Sequence, residues 1–221
     1  MTQKMQSRRD FLKLLAIGGG GIIVLGQFRF LFASEDSNGV LKAIVVDFNK
    51  CAGCHTCETV CSALHNQVMI DGESLNGLGN PKLGNIKVQH HNPDVDIPTV
   101  CFNCPDSPCV KYCPSEPDKV TGFKAIYRDP VTLTIKTNHK NCISCGSCES
   151  NCQREGAGII VMNPETEHPE HICDHCGGDP HCVKYCPYGA LSFQDVDVNR
   201  DYFGMTHTEI AEKLFELYYA Q

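Results

Sequence analysis

Apolar residues lie in short runs along most of this chain, and each run predicts a short element. Residues 42–48 are apolar and β-branched and predict a strand. Residues 125–128 and 131–137 flank Asp129-Pro130 and predict a hairpin. Residues 159–162, followed by the Asn163-Pro164 turn, begin a second hairpin, and residues 190–193 form a short closing strand. Near the C-terminus, residues 207–221 place Ile210, Leu214, Leu217 and Tyr218 on one helical face. Such a helix either packs on its own domain or serves as a docking element for a partner. The segment 62–100 is rich in Gly and Asn and predicts a long surface insertion.

Residues 1–33 follow a different pattern. Two adjacent arginines sit in Ser7-Arg8-Arg9-Asp10-Phe11-Leu12-Lys13, and an apolar, glycine-rich run of 13 residues follows from Leu14. Spanning a bilayer takes about 20 apolar residues, so this run predicts no transmembrane helix. Every position of the pattern S-R-R-x-F-L-K is filled, and the segment resembles a twin-arginine export signal. The resemblance implies a protein of the periplasm or the outer face of the cytoplasmic membrane, bacterial or archaeal. This leader carries net charge +4, so the remainder carries −11 in a chain whose total is −7. An acidic body excludes a dedicated nucleic-acid binder, whose contacts to phosphate require basic charge.

Composition sharpens the picture in one respect. Hydrophobic residues are 42% and charged residues 20% of 221, as in a globular chain long enough to bury its own core. Sixteen residues are cysteine, and they fall into four groups of four. The first is Cys51, Cys54, Cys57 and Cys61; the second is Cys101, Cys104, Cys109 and Cys113. The third is Cys142, Cys145, Cys148 and Cys152; the fourth is Cys173, Cys176, Cys182 and Cys186. Groups one and three share C-x2-C-x2-C-E-x2-C, with Glu58 and Glu149 after the third cysteine. Groups two and four have a longer middle gap and share the hexapeptide Cys-Val-Lys-Tyr-Cys-Pro at 109–114 and 182–187. The chain therefore contains a duplicated two-group unit.

Disulfides make no demand for a repeated C-x2-C-x2-C spacing. Structural zinc joins two short pairs across a longer gap. Three cysteines within seven residues and a fourth four residues on match the bacterial ferredoxin run, in which the fourth thiolate serves a second cluster. Soft thiolates favour iron–sulfur clusters as well. Sixteen ligands at four per cubane predict four 4Fe–4S clusters. The fold class expected is α+β: tandem, interleaved ferredoxin-like modules with short β-hairpins around the clusters. The expected domains are the leader 1–33, a four-cluster domain 34–200, and the C-terminal amphipathic helix 201–221. His55, His175 and His181 beside the cysteines are expected to neighbour the clusters or lie on the surface, and Tyr112 and Tyr185 to pack in the core near them.

Residues 42–194, with the signal ahead of them, resemble the four-cluster iron–sulfur subunits of the dimethyl-sulfoxide-reductase and polysulfide-reductase superfamily. That resemblance implies pairing of group one with four and of two with three. Cys51, Cys54, Cys57 and Cys186 would then hold one cluster, and Cys173, Cys176, Cys182 and Cys61 its neighbour. Cys101, Cys104, Cys109 and Cys152 would hold a third, and Cys142, Cys145, Cys148 and Cys113 the fourth. Spacing alone equally allows pairing one with two and three with four; the hairpin-bearing link 114–141 favours the family arrangement. The resemblance also implies partners: a catalytic molybdenum- or tungsten-pterin oxidoreductase subunit on one side, and a membrane quinone-reactive subunit or a cytochrome on the other. The role expected is electron transfer, with no catalytic residues of its own. The alternative is a metal-scaffold or assembly protein without an electron-transfer role. A radical enzyme would need C-x3-C-x2-C, which no group shows. No glycine-rich nucleotide loop adjoins a strand, since Gly18–Gly21 lies in the leader.

Overall fold

A computed structural model describes residues 40–91, 94–197 and 201–219. The leader 1–33 lies outside the described residues. Among them, ten strands pair as five separate two-stranded antiparallel sheets. Five helices of four to thirteen residues complete a mixed α+β architecture.

The first and last strands meet. β1 (Val40–Val46) pairs along its whole length with β10 (Leu191–Asp197), setting Ile44 opposite Phe193 and Val46 opposite Leu191. Ile44 and Leu191 are buried on one face of the pair, which fixes the register, because a slip of one residue would turn one strand's set to the other face. β6 (Ile126–Arg128) and β7 (Ile135–Thr137) form the hairpin expected around Asp129-Pro130. β8 (Val161–Met162) and β9 (Pro169–Glu170) form the shorter one after it.

Segment 62–100 departs from the expected surface insertion. Its first part is exposed: β2 (Val68–Ile70) and β3 (Glu73–Leu75) pair with every residue in solvent. Its second part is core. β4 (Ile86–His91) and β5 (Val95–Val100) pair in register and bury Ile86, Val88, Val95, Ile97 and Val100. Glycine and asparagine content reported the first half of the segment and masked the alternation Ile86, Val88 in the second.

Two apolar clusters result. The larger joins Ile44, Ile86, Val88, Ile126, Ile135, Ile160 and Leu191 to nine of the cysteines. The smaller packs Val95 and Ile97 against Ile210, Ala211 and Leu214 of the C-terminal helix, α5 (His207–Tyr219). Thr206 caps that helix: its hydroxyl accepts the Glu209 N–H at 3.4 Å and the Glu209 carboxylate accepts the Thr206 N–H at 2.7 Å, a capping box. Only the first half of the expected face is buried; Leu217 and Tyr218 are exposed. The helix therefore packs on its own body, and residues 201–204 ahead of it form a turn rather than helix.

Candidate metal centres

Each cysteine group is a loop that runs into a helix. α1 (Thr56–His65) carries Cys57 and Cys61, and α3 (Ser147–Glu155) carries Cys148 and Cys152. The four-residue helices α2 (Pro108–Lys111) and α4 (His181–Lys184) carry Cys109 and Cys182. Both short helices stop before Cys-Pro, where proline cannot continue a helix. The helices associate across groups: α1 packs against α4, and α2 against α3.

One backbone feature recurs in all four loops. The second residue after the first cysteine is left-handed: Gly53 (φ +59°), Asn103 (φ +50°), Ser144 (φ +56°) and His175 (φ +56°). Three of these are not glycine, so the conformation is imposed by the loop rather than merely allowed. A left-handed residue within such a turn points successive N–H groups into one concavity, which receives anions and sulfur clusters. Individual N–H groups reach thiols. Asn85 donates to Cys61 Sγ at 3.2 Å, Ala190 to Cys186 Sγ at 3.3 Å and His175 to Cys173 Sγ at 3.4 Å.

All sixteen cysteines are free thiols, and only Cys54 and Cys145 are exposed. Fourth cysteines lie beside a different group. Cys186 is in the electrostatic field of Cys51, while Cys61 neighbours Cys173, Cys176 and Cys182. Cys152 neighbours Cys101, Cys104 and Cys109. Cys113 lines one concavity with Cys142, Cys145 and Cys148. The four sets follow one another within electrostatic reach: Cys57 feels Cys182, Cys173 feels Cys101, and Cys109 feels Cys148.

The donor chemistry fits metal. Burial first, and neighbouring thiolates second, push Cys104 and Cys182 up to about 12. Burial likewise pushes Cys57 up to about 12, Cys101 and Cys148 to about 11, and raises Cys109 and Cys173. Thiols so placed would stay protonated on their own; a cationic centre supplies the charge that makes them thiolate ligands. At Cys113 and Cys186 burial also pushes upward, but hydrogen bonds overcome it and the net shift is downward. The donors are Ser115 and the Ile126 N–H at Cys113, and a run of backbone N–H groups from Tyr188 to Leu191 at Cys186.

The expected neighbours divide. His175 is buried, and its Nε2 accepts from Asn103 Nδ2 at 3.1 Å. His55 Nδ1 meets Glu58 at 2.5 Å, and its Nε2 meets His90 at 2.7 Å. Glu58 is buried and also accepts the Val88 N–H at 2.8 Å. His181 packs beside the Tyr185 ring. Tyr112 and Tyr185, expected in the core, are instead exposed at 38% and 53%. They precede the Cys-Pro step on the outer side of a one-turn helix, and Tyr112 there stacks with Lys111 and Arg154.

Sequence reasoning missed three residues. His65 bonds the Cys61 carbonyl at 2.9 Å and Asp174 at 3.2 Å. Asn103 holds the Ile135 N–H at 2.7 Å. Arg128 reaches into the group-two loop and donates to the carbonyls of Asn103 and Cys104 and the Ser107 hydroxyl. Aligning the two duplicated units would have placed Asn103 opposite His175, both two residues after the first cysteine.

No family model matches the chain. Among curated proteins, it is 33% identical over 143 residues to the polyferredoxin-like subunit of an aliphatic sulfonate oxidoreductase from Pyrococcus furiosus, covering 65% of this chain and 70% of that one. A subunit of the tetrathionate reductase of Salmonella typhimurium is 25% identical over 202 residues, covering 86% of this chain and 74% of that one. Protein NrfC of Escherichia coli is 28% identical over 201 residues, covering 86% and 81%. With sixteen clustered thiols in loops built to receive sulfur centres, the chain belongs to the family of ferredoxin-type iron–sulfur electron-transfer subunits of oxidoreductases.

Proposed function

We propose that this protein is a four-cluster electron wire within an oxidoreductase complex, built from interleaved ferredoxin-like modules. Cys51, Cys54, Cys57 and Cys186 hold the first 4Fe–4S cluster, and Cys173, Cys176, Cys182 and Cys61 the second. Cys101, Cys104, Cys109 and Cys152 hold the third, and Cys142, Cys145, Cys148 and Cys113 the fourth. The observation that carries this reading is the serial proximity of the four thiol sets, each within electrostatic reach of the next, with the two exposed cysteines, Cys54 and Cys145, in the two end sets. When bound, such clusters accept and release single electrons. The chain's own part is to hold the thiols, aim N–H groups at sulfur and keep the two inner sets from solvent. One end faces a catalytic pterin-type subunit, and the other a membrane quinone-reactive subunit or a cytochrome. The leader 1–33 exports the protein by the twin-arginine route, after clusters are built in a reducing compartment.

Anaerobic iron and acid-labile sulfide analysis tests the reading. About sixteen of each per chain is expected, four for each of four cubanes. Zinc without sulfide would instead favour the scaffold alternative. Replacing Arg8 and Arg9 by lysine should retain the protein in the cytoplasm; unchanged export would refute the twin-arginine route.

A further inference from the structure

The duplicated units can be aligned strand by strand. After Cys113 comes Ala125-Ile126-Tyr127-Arg128; after Cys186 comes Ala190-Leu191-Ser192-Phe193. Arg128 lies opposite Ile135, and Phe193 opposite Ile44. Ile135 and Ile44 each stand seven residues before the first cysteine of their group, Cys142 and Cys51. Arg128 and Phe193 therefore occupy the same place in the repeat.

They meet different surroundings. The Phe193 ring packs against His175 at 5.0 Å between centroids and lies under the Lys42 ammonium, 5.1 Å from its centroid. Arg128 extends into the loop between Cys101 and Cys109. Its Nη2 donates to the Asn103 carbonyl at 2.9 Å, to the Cys104 carbonyl, and to Ser107 Oγ at 2.6 Å. Its Nε reaches the same hydroxyl at 3.1 Å, and Nη1 the Leu133 carbonyl at 2.5 Å. Every acceptor is neutral. The positive charge stays unpaired by direct contact, within the field of Cys101, Cys104 and Cys109, with Asp106 at longer range. A guanidinium cannot lose its proton in a protein, so this charge is fixed.

We propose that Arg128 is a potential-setting residue, whose fixed charge raises the reduction potential of the cluster held by Cys101, Cys104, Cys109 and Cys152. A cluster gains one negative charge when it takes an electron. A fixed cation at constant distance stabilises that reduced form more than the oxidised one, and partial burial limits screening. Phe193, the matching residue, is itself neutral, with the Lys42 ammonium 5.1 Å from its ring centroid in place of a guanidinium inside the loop. The inference rests on the ligand assignment above.

Redox titration of the intact, cluster-loaded chain, followed by electron paramagnetic resonance, tests it. Cys109→Ala should remove one signal and about a quarter of the iron, which identifies the cluster concerned. If Cys109→Ala leaves all signals in place, the ligand assignment fails, independently of Arg128. Arg128→Gln keeps a hydrogen-bonding amide and removes the charge. It should lower that one midpoint while leaving iron content at wild type. Arg128→Lys should stay close to wild type. Phe193→Arg should raise the midpoint of the cluster assigned to Cys173, Cys176, Cys182 and Cys61. Equal shifts in Arg128→Gln and Arg128→Lys would reduce Arg128 to a loop staple and overturn the proposal. Should the glutamine variant lose iron, the exposed Asp106→Asn carries the test: removing a negative charge must raise the same midpoint, and an unmoved value sinks the electrostatic account.

Discussion

The two spatial halves of the molecule, each combining one cysteine group of either spacing, share a frame and differ in what supports it. In the half built from groups one and four, the flanking strand pairs are long: seven residues for β1–β10 and six for β4–β5. In the half built from groups two and three they shrink to three for β6–β7 and two for β8–β9. The extra strand length is put to use. Val95 and Ile97 lie beyond the part of β5 nearest the thiols, and there they receive α5. The short hairpins carry no second apolar cluster beyond the thiol core, and side chains close their turns. Asp129 accepts the Val131 and Thr132 N–H groups, and Asn163 accepts those of Glu165 and Thr166. The common frame, including its left-handed residue, thus tolerates either an apolar or a polar brace.

If the long strands serve α5 and the short ones serve the thiols, core deletions should separate the two. Ile97 is fully buried in the smaller cluster, and Ile126 almost fully in the larger, lining the concavity of Cys113, Cys142, Cys145 and Cys148. Either change to alanine should cost about 2–5 kcal/mol. Ile97→Ala should expose α5 to limited proteolysis while iron content holds. Ile126→Ala should lose iron first, with α5 still protected. Loss of iron from both, in step with unfolding, would show that the brace and the thiol frame are one cooperative unit.

The matched glutamates give a smaller contrast. Glu58 is buried, with one carboxylate oxygen on the Val88 N–H and the other on His55. Glu149, at the same place in group three, is part-exposed and has no side-chain hydrogen bond among the described residues. Glu58→Ala leaves a strand N–H unsatisfied in the core and should cost about 1–3 kcal/mol. Glu149→Ala should fall within about 0.5 kcal/mol of wild type. Thermal bleaching of the visible cluster absorbance reads both. A similar cost at the two sites would mean that the shared glutamate acts on the loop itself rather than through β4.

That pair also marks what the sequence could and could not disclose. Cysteine spacing carried the four loops and their order along the chain, because each is local. The hairpin at Asp129-Pro130 was equally plain, since a turn pair sits between two β-branched runs. Glu58 and Glu149 look alike in sequence and part company only because β4 passes one of them and not the other. β4 itself was hidden by the polar residues around it, and Tyr112 and Tyr185 were misplaced because aromatic character was read without the outward side of a one-turn helix. Arg128 sits at the end of an expected strand; its direction into a loop 25 residues earlier is a tertiary fact.

The smallest effect separates the two polar braces from each other. Asp129 and Asn163 accept the same pair of turn N–H groups, but only Asp129 titrates. Lys136, and then the Thr132 and Val131 N–H groups, hold the Asp129 carboxyl below its ordinary range. A depressed folded value means that the carboxylate stabilises the hairpin above the ordinary carboxylate pKa of about 3.9 and that this is lost as pH falls through the lower, folded value. Amide exchange corrected for intrinsic rate should therefore show the β6–β7 hairpin opening more readily below about pH 4. The Asn163 turn bonds have no proton to gain and should hold. Asp129→Asn keeps an acceptor, gives up the lysine pairing, and should make the first hairpin behave like the second. If its exchange still accelerates in acid, the sensitivity comes from the thiol frame behind the hairpin, and the polar brace is not what closes this half.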